Sequence, residues 1–163
     1  MRLQDKVVIV TGGGSGAGEA IVASCVAEGA QVIAIGRDAE KLGAACKKAG
    51  GNARPAAGDV TDRQRMQQIV DETISEFGRV DILINNAGIN VADRTLEKLT
   101  PEDWDRVMEI NATGAYNTIH AVLPHMREQG DGVIIAVSSM AGCAPSVLGG
   151  VAYSAAKHAM SVV

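Results

Sequence analysis

Short apolar runs rich in Val and Ile alternate along this chain with stretches whose apolar residues recur every three or four positions. The first pattern suits a strand buried on both faces, the second a helix with one buried stripe. Lys6-Val7-Val8-Ile9-Val10-Thr11 predicts the first strand. Gln31 to Ile35, Ala53 to Ala57, Val80 to Ile84 and Val133 to Val137 predict four more, the Ala53 run being the weakest. A helix is expected from about Gly16 to Glu28, with Ile21, Val22, Cys25 and Val26 on one face. A second runs from Ala39 to Ala49 and stops at Gly50-Gly51. Thr61 caps a third, with Gln64 closing a capping box, and this helix ends near Phe77-Gly78. Thr100-Pro101-Glu102-Asp103 supplies a cap, a first-position proline and an acidic first turn. One long helix then runs to the region of Met126, and a last helix carrying Tyr153 begins at about Ala152.

Apolar strands separated by helices imply a parallel sheet covered on both faces. Right-handed crossovers make it doubly wound, so the expected fold is α/β of Rossmann type. No linker, repeat or low-complexity segment divides the chain, and residues 1–163 are expected to form a single dinucleotide-binding domain. Its end is anomalous. Ser161-Val162-Val163 carries no helix stop signal, and no strand follows for the helix to return to. The sequence reads as truncated inside an element, with the C-terminal strands missing.

Composition changes this picture modestly. Apolar residues make up 47% of the chain and charged residues 21%, as in a soluble globular protein. Aromatics are only 2%, so Val, Ile, Ala, Leu and Met must build the core. The net charge of -4 argues against a general nucleic-acid or membrane-surface binder. No apolar run reaches membrane-spanning length, and Gly12-Gly13-Gly14 cuts off the Val7 to Val10 run before it resembles a signal peptide. Cys25, Cys46 and Cys143 lack metal-ligand spacing and read as small core or surface residues in a reducing, cytoplasmic setting.

Chemistry concentrates at the strand ends. Thr11-Gly12-Gly13-Gly14-Ser15-Gly16-Ala17-Gly18 joins the first strand to the first helix. Glycines let such a loop approach a pyrophosphate held at the helix N-terminus. Ligands of doubly wound sheets bind beyond the carboxyl ends of the strands, and Gly12, Gly36, Asp59, Asn85 and Ser139 all lie there. Tyr153 and Lys157 stand four apart, on one face of the last helix. A free phenol titrates near ~10, and a neighbouring cation favours the phenolate, which suits proton transfer near neutral pH. The second strand ends at Gly36-Arg37-Asp38, with no carboxylate in the place that would bind a ribose 2′-hydroxyl. Arg37 can clamp a 2′-phosphate there, whereas Asp38 either caps the next helix or reaches the ribose. NADP(H) is therefore the expected cofactor and NAD(H) the alternative. His158 points to another helix face, and His120 and His125 lack a third metal ligand.

Taken in order, these motifs resemble the short-chain dehydrogenase/reductase family over the whole chain. Gly12, Gly16 and Gly18 match its T-G-x-x-x-G-x-G pattern, and Asp59-Val60, Asn85-Asn86-Ala87-Gly88, Asn111, Ser138-Ser139 and Tyr153-x-x-x-Lys157 match the rest. The resemblance implies cofactor contacts from Gly12, Ser15, Gly16, Ala17, Gly18, Asp59, Val60, Asn86, Ala87, Gly88, Tyr153 and Lys157. It also implies a catalytic set: Tyr153 as general acid and base, Lys157 beside it, Ser139 on the substrate oxygen, and the Asn111 main chain holding a water that links Lys157 to solvent. Ser139 is favoured over Ser138 by the family's habit of using the second serine, although fourteen residues separate it from Tyr153, one more than in many relatives. The implied activity is NAD(P)-dependent interconversion of an alcohol and a ketone, a 3-oxoacyl or similar carbonyl reductase being one form. The implied partners are a small carbonyl or alcohol substrate and, at full length, the other subunits of a homodimer or homotetramer. The rival readings are a non-catalytic truncated dinucleotide-binding module and an S-adenosylmethionine methyltransferase, which would not require the Tyr-Lys pair. The loop from Cys143 to Ala152, with Pro145, Val147 and Leu148, suggests an apolar wall.

Overall fold

Five parallel strands line up in the order β3-β2-β1-β4-β5, so the chain starts in the middle of its sheet and winds outward twice. The computed structural model describes residues 1–144 and 146–162, so Pro145 and Val163 lie outside the described residues. The strands are β1 (Val7–Thr11), β2 (Gln31–Gly36), β3 (Ala53–Ala57), β4 (Ile82–Asn85) and β5 (Val133–Ala136). Between and after them come α1 (Gly16–Ala27), α2 (Ala39–Ala49), α3 (Arg63–Phe77), α4 (Pro101–Met108), α5 (Gly114–Gln129) and α6 (Val151–Val162).

Strand alternation sorts the apolar residues into two layers. Val8, Val10, Val32 and Ala34 pack with Val22, Cys25, Leu42 and Cys46 of α1 and α2. Ile9, Ile33, Ile35 and Leu83 face the other way, onto Met66, Ile69 and Val70 of α3 and Ala121, Val122 and Met126 of α5. Burial raises the thiol pKa of Cys25 and Cys46, as suits inert core residues. A third, smaller cluster joins α4 to α6 through Val107, Ala152 and Ala156. Among the described residues no helix is long and apolar enough to cross a membrane.

Four expectations need correction. Thr61 does not cap α3. Its N–H and hydroxyl both donate to Asp59 Oδ1, and Asp62 caps the helix by accepting from the Arg65 N–H at 2.9 Å. The fourth strand begins at Ile82 rather than Val80, whose carbonyl accepts from the Gln129 side chain at 3.4 Å instead of from a neighbouring strand. The long helix is not continuous either. A π-helical segment, Glu109–Thr113, separates α4 from α5, and α5 continues past Met126 to Gln129. Finally, β5 is apolar but not covered. Val133, Ile134 and Ile135 are 50%, 37% and 44% exposed, since α6 packs on α4 and the turn after β5 rather than across the strand.

At the opposite end of the sheet from the glycine loop, Asp81 ties three strands together. Its N–H donates to the Val7 carbonyl, its carbonyl accepts from Val133, and its carboxylate accepts from the Val7 N–H at 2.8 Å. Lys6 and Arg79 also donate to it. Burial alone would raise this carboxyl's pKa, but the bonds from Arg79, Val7 and Lys6 outweigh it and hold the pKa below the ordinary value. A lowered folded-state pKa stabilises the fold above the unfolded value of about 4, and that contribution is lost as pH falls through the folded value. Asp81→Asn should therefore cost roughly 1–3 kcal/mol at neutral pH. It should also flatten the acid limb of a stability-against-pH curve measured by urea unfolding.

Candidate active site

The first helix begins where the backbone makes a turn that side chains would forbid. Gly12 sits at φ +68°, and a Cβ on Gly18 would collide with the Gly12 carbonyl. With no side chain at either place, the loop leaves an open cradle beneath the first turn of α1. The leading N–H groups of a helix have no intrahelical acceptor, so this cradle is polarised for an anion. It opens into a cavity of about 820 Å³ along the carboxyl edge of the sheet. Gly12, Ser15, Ala17 and Gly18 line one side, and Asn86, Ala87 and Gly88 the other. Gly16 does not line it. At φ +53° it serves the turn, and it borders a separate small hollow between α1 and α2.

The two sides of the cradle are tied by Thr11, which is 1% exposed. Its hydroxyl oxygen accepts the Asn86 N–H at 3.0 Å and the Ala87 N–H at 2.9 Å. The Asn86 amide returns the link, donating to the Thr11 carbonyl at 3.0 Å and the Gly12 carbonyl at 3.4 Å. Asn85 is turned the other way. Its amide donates to the Ala115 carbonyl and its oxygen accepts from the Thr118 hydroxyl at 2.5 Å, which anchors β4 to α5.

At the far end of the cavity, Arg37, Asp38, Lys41, Asp59 and Val60 form the wall. Asp38 caps α2, accepting from the Lys41 N–H at 3.0 Å, with the Lys41 ammonium at 3.2 Å. The Lys41 N–H and then its ammonium hold this carboxyl below the usual carboxylate range. Arg37, which is exposed, stands 3.8 Å from the half-buried Asp59. Val60 is buried, and its carbonyl accepts from Asn117 of α5 at 2.9 Å. Lys41 was not among the residues singled out from the sequence. Its signal was its place in the first turn of α2, next to Asp38.

Tyr153 and Lys157 share one face of α6, with the Lys157 nitrogen 5.8 Å from the centre of the phenol ring. Tyr153, Lys157 and Ser139 do not line the cavity, but the Lys157 ammonium adjoins its wall at Gly88. A Cβ on Gly88 would stand 3.5 Å from the Lys157 nitrogen and 3.2 Å from Asn111 Oδ1. Lys157 is 3% exposed, and burial lowers its pKa. Its ammonium donates to the Val137 carbonyl at 2.8 Å, just before the serine pair. Ser138 is taken up by α6, with its oxygen 2.9 Å from Ser161 Oγ. Ser139 caps the short 3-10 turn Met140–Gly142 by accepting from the Ala141 N–H, and among the described residues nothing accepts its proton. Asn111 is fully buried inside the π segment. Its side chain imitates a backbone, accepting from the Ile89 N–H at 2.7 Å and donating to the Ile89 carbonyl at 2.8 Å. The wide π turn leaves main-chain groups out of the α-helical ladder here, and such turns favour functional sites. The histidines take no part: His158 contacts the Ser154 carbonyl, His125 approaches Asp71, and His120 lies against Tyr116.

A family model described as short chain dehydrogenase matches residues 6–163. Among curated proteins, the chain is 39% identical over 145 residues to a 3-oxoacyl-[acyl-carrier-protein] reductase of Thermotoga maritima, covering 87% of this chain and 58% of that protein. It is 35% identical over 165 residues to a 3beta-hydroxysteroid dehydrogenase of Mediterraneibacter gnavus, covering 98% of this chain and 58% of that one. Among solved structures, a metagenomic short-chain oxidoreductase in complex with NADP superposes with a TM-score of 0.91 at 32% identity, over 99% of this chain and 74% of the other.

The Thr11 link carries a direct expectation. Thr11→Val keeps the shape but leaves two backbone N–H groups without an acceptor. The substitution should lower stability by about 1–3 kcal/mol in urea unfolding. Thr11→Ser, which keeps the hydroxyl, should recover most of the loss.

Proposed function

The chain belongs to the short-chain dehydrogenase family, and we propose that it works as an NAD(P)-dependent oxidoreductase interconverting an alcohol and a ketone. The observation that carries this reading is the placement of Lys157. A buried ammonium lies under a phenol on one helix face, fixed to the end of β5 and next to the cavity wall at Gly88. The cavity suits a dinucleotide. A pyrophosphate fits the side-chain-free cradle at Gly12 and Gly18, beneath the N-terminus of α1. Asp59 and Val60 would hold the adenine end, and Asn86, Ala87 and Gly88 the middle. When bound, the nicotinamide supplies the hydride that joins the carbonyl carbon or leaves the alcohol.

The protein's own task is then proton management. In reduction, the substrate oxygen gains negative charge and takes the proton of the Tyr153 hydroxyl; in oxidation the Tyr153 phenolate oxygen takes the proton of the substrate hydroxyl. The Lys157 ammonium stabilises the phenolate left behind, more strongly because it is shielded from water. The Ser139 hydroxyl donates to the developing alkoxide. Ser138 is less suited, being engaged with Ser161. The Asn111 segment would hold a water through which Lys157 exchanges protons with solvent.

We further propose a 3-oxoacyl or similar ketone as substrate class, the cytoplasm as setting, and a homodimer or homotetramer as the assembly. NADP(H) is the proposed cofactor, with NAD(H) the alternative. Arg37 and Lys41 together present two cations to a 2′-phosphate, and Asp38 is occupied as a cap.

Tyr153→Phe, in the protein that carries this sequence, should abolish turnover while leaving the NADPH dissociation constant near that of the parent. Turnover within a few-fold of the parent would overturn the role of the phenol. Ser139→Ala should cost more turnover than Ser138→Ala, and the reverse order would reassign the serine. Arg37→Ala should weaken NADPH about tenfold or more while changing NADH little, the loss of roughly one charge-assisted pair. An unchanged NADPH to NADH ratio would remove Arg37 from the phosphate site.

A further inference from the structure

Lys157 is a buried ammonium. Among the described residues no carboxylate lies within ion-pair distance of it, and burial is what displaces its titration. The Tyr153 phenol is the titratable group beside it on α6, while His158 is turned outward to the Ser154 carbonyl. An ammonium has three hydrogens to place. One goes to the Val137 carbonyl at 2.8 Å. The second goes to a thioether: Met160 Sδ, one turn further along α6, lies 3.4 Å from the nitrogen, and Met160 is 2% exposed. Among the described residues no third acceptor meets the ammonium. Both polar atoms of the Asn111 side chain are spent on Ile89, and Ser138 Oγ is engaged with Ser161. The adjoining wall is Gly88, which leaves the cavity side open.

We propose that Met160 is a positioning residue for Lys157: its sulfur and the Val137 carbonyl together hold the ammonium so that its third N–H is presented toward the cavity and Tyr153. An aliphatic residue at position 160 would fill the same space but accept nothing. The ammonium would then hang from one carbonyl, free to swing and less favoured in its charged form. Sulfur is a weak, polarizable acceptor. It steadies the charge without removing it, as a carboxylate would by forming a full ion pair. The inference rests on reading Lys157 as the cation that serves Tyr153.

The test is a direct titration of Lys157. In protein carrying 13C-labelled lysine, the Lys157 ε-methylene signal, assigned by its loss in Lys157→Arg, is followed against pH by NMR. Met160→Leu preserves the volume and should fold, yet it removes the acceptor. It should shift the Lys157 midpoint downward. Met160→Gln restores a side-chain acceptor and should bring the midpoint back toward or above the parent. An unchanged midpoint in Met160→Leu, or equal shifts in the Leu and Gln variants, would reduce Met160 to core packing and overturn the proposal. Should Met160→Leu fail to fold by circular dichroism, replacing methionine with norleucine, which exchanges sulfur for a methylene, supplies the same comparison. Turnover is not part of this readout. A flat titration leaves the oxidoreductase reading standing, whereas a shifted midpoint in a protein with no ketone reductase activity strikes only that reading.

Discussion

The Thr11 hydroxyl holds the carboxyl edge of this sheet together. It sits where β1 ends, at the point from which the chain winds one way to α1 and β2 and the sheet continues the other way through β4. Two parallel strands that part company there leave backbone groups with no ladder partner. Thr11 satisfies two of them, on Asn86 and Ala87, and the Asn86 amide repays the Thr11 and Gly12 carbonyls. The open crevice at the sheet's switch point thus keeps its shape without a side chain filling it. The glycines beside it are useful only because this link fixes the opposite wall. Gly12 can approach closely because Asn86 is pinned, and Gly18 can press on Gly12 because nothing projects between them.

The second half of the site is built on a different economy. Among the described residues Lys157 is buried without a counter-ion, an arrangement that costs stability and persists where the charge is used. The protein limits that cost with soft or neutral acceptors rather than with a carboxylate, so the ammonium remains available to a neighbour. The π segment at Asn111 belongs to the same arrangement. By widening one turn it buries an asparagine whose amide completes the backbone of Ile89, and Ile89 follows Gly88 at the cavity wall. The loop after β4 is thereby held at both ends, by Thr11 at Asn86 and by Asn111 at Ile89.

Much of this was legible in the sequence because the signals are local. The apolar runs located the strands, and the glycine spacing located the cradle. The i, i+4 pair on α6 placed Tyr153 and Lys157 on one face. What was not legible depended on partners far along the chain or on competition between adjacent residues. The bonds from Asn86 and Ala87 to Thr11 span some 75 residues of sequence. Thr61 and Asp62 are both good caps, and the choice fell to Asp62 because Asp59 claims the Thr61 hydroxyl. The break in the long helix has no proline to announce it, and Gly114 directly after it is an isolated glycine of the kind a continuous helix also carries; Pro124 lies inside α5. The exposure of β5 could not be read from its composition, which matches that of the buried strands. Gly16 matched the motif but serves the turn rather than the cavity, a distinction set by backbone direction.

The measurement that bears most directly on the account is an NADPH titration of the 15N-labelled protein, followed by amide chemical shifts. Saturable binding should move the amides of Gly12, Gly18, Asp59 and Gly88 together along one isotherm, because one dinucleotide would lie across all four. An absence of saturable binding, or shifts confined to the hollow between α1 and α2, would contradict it.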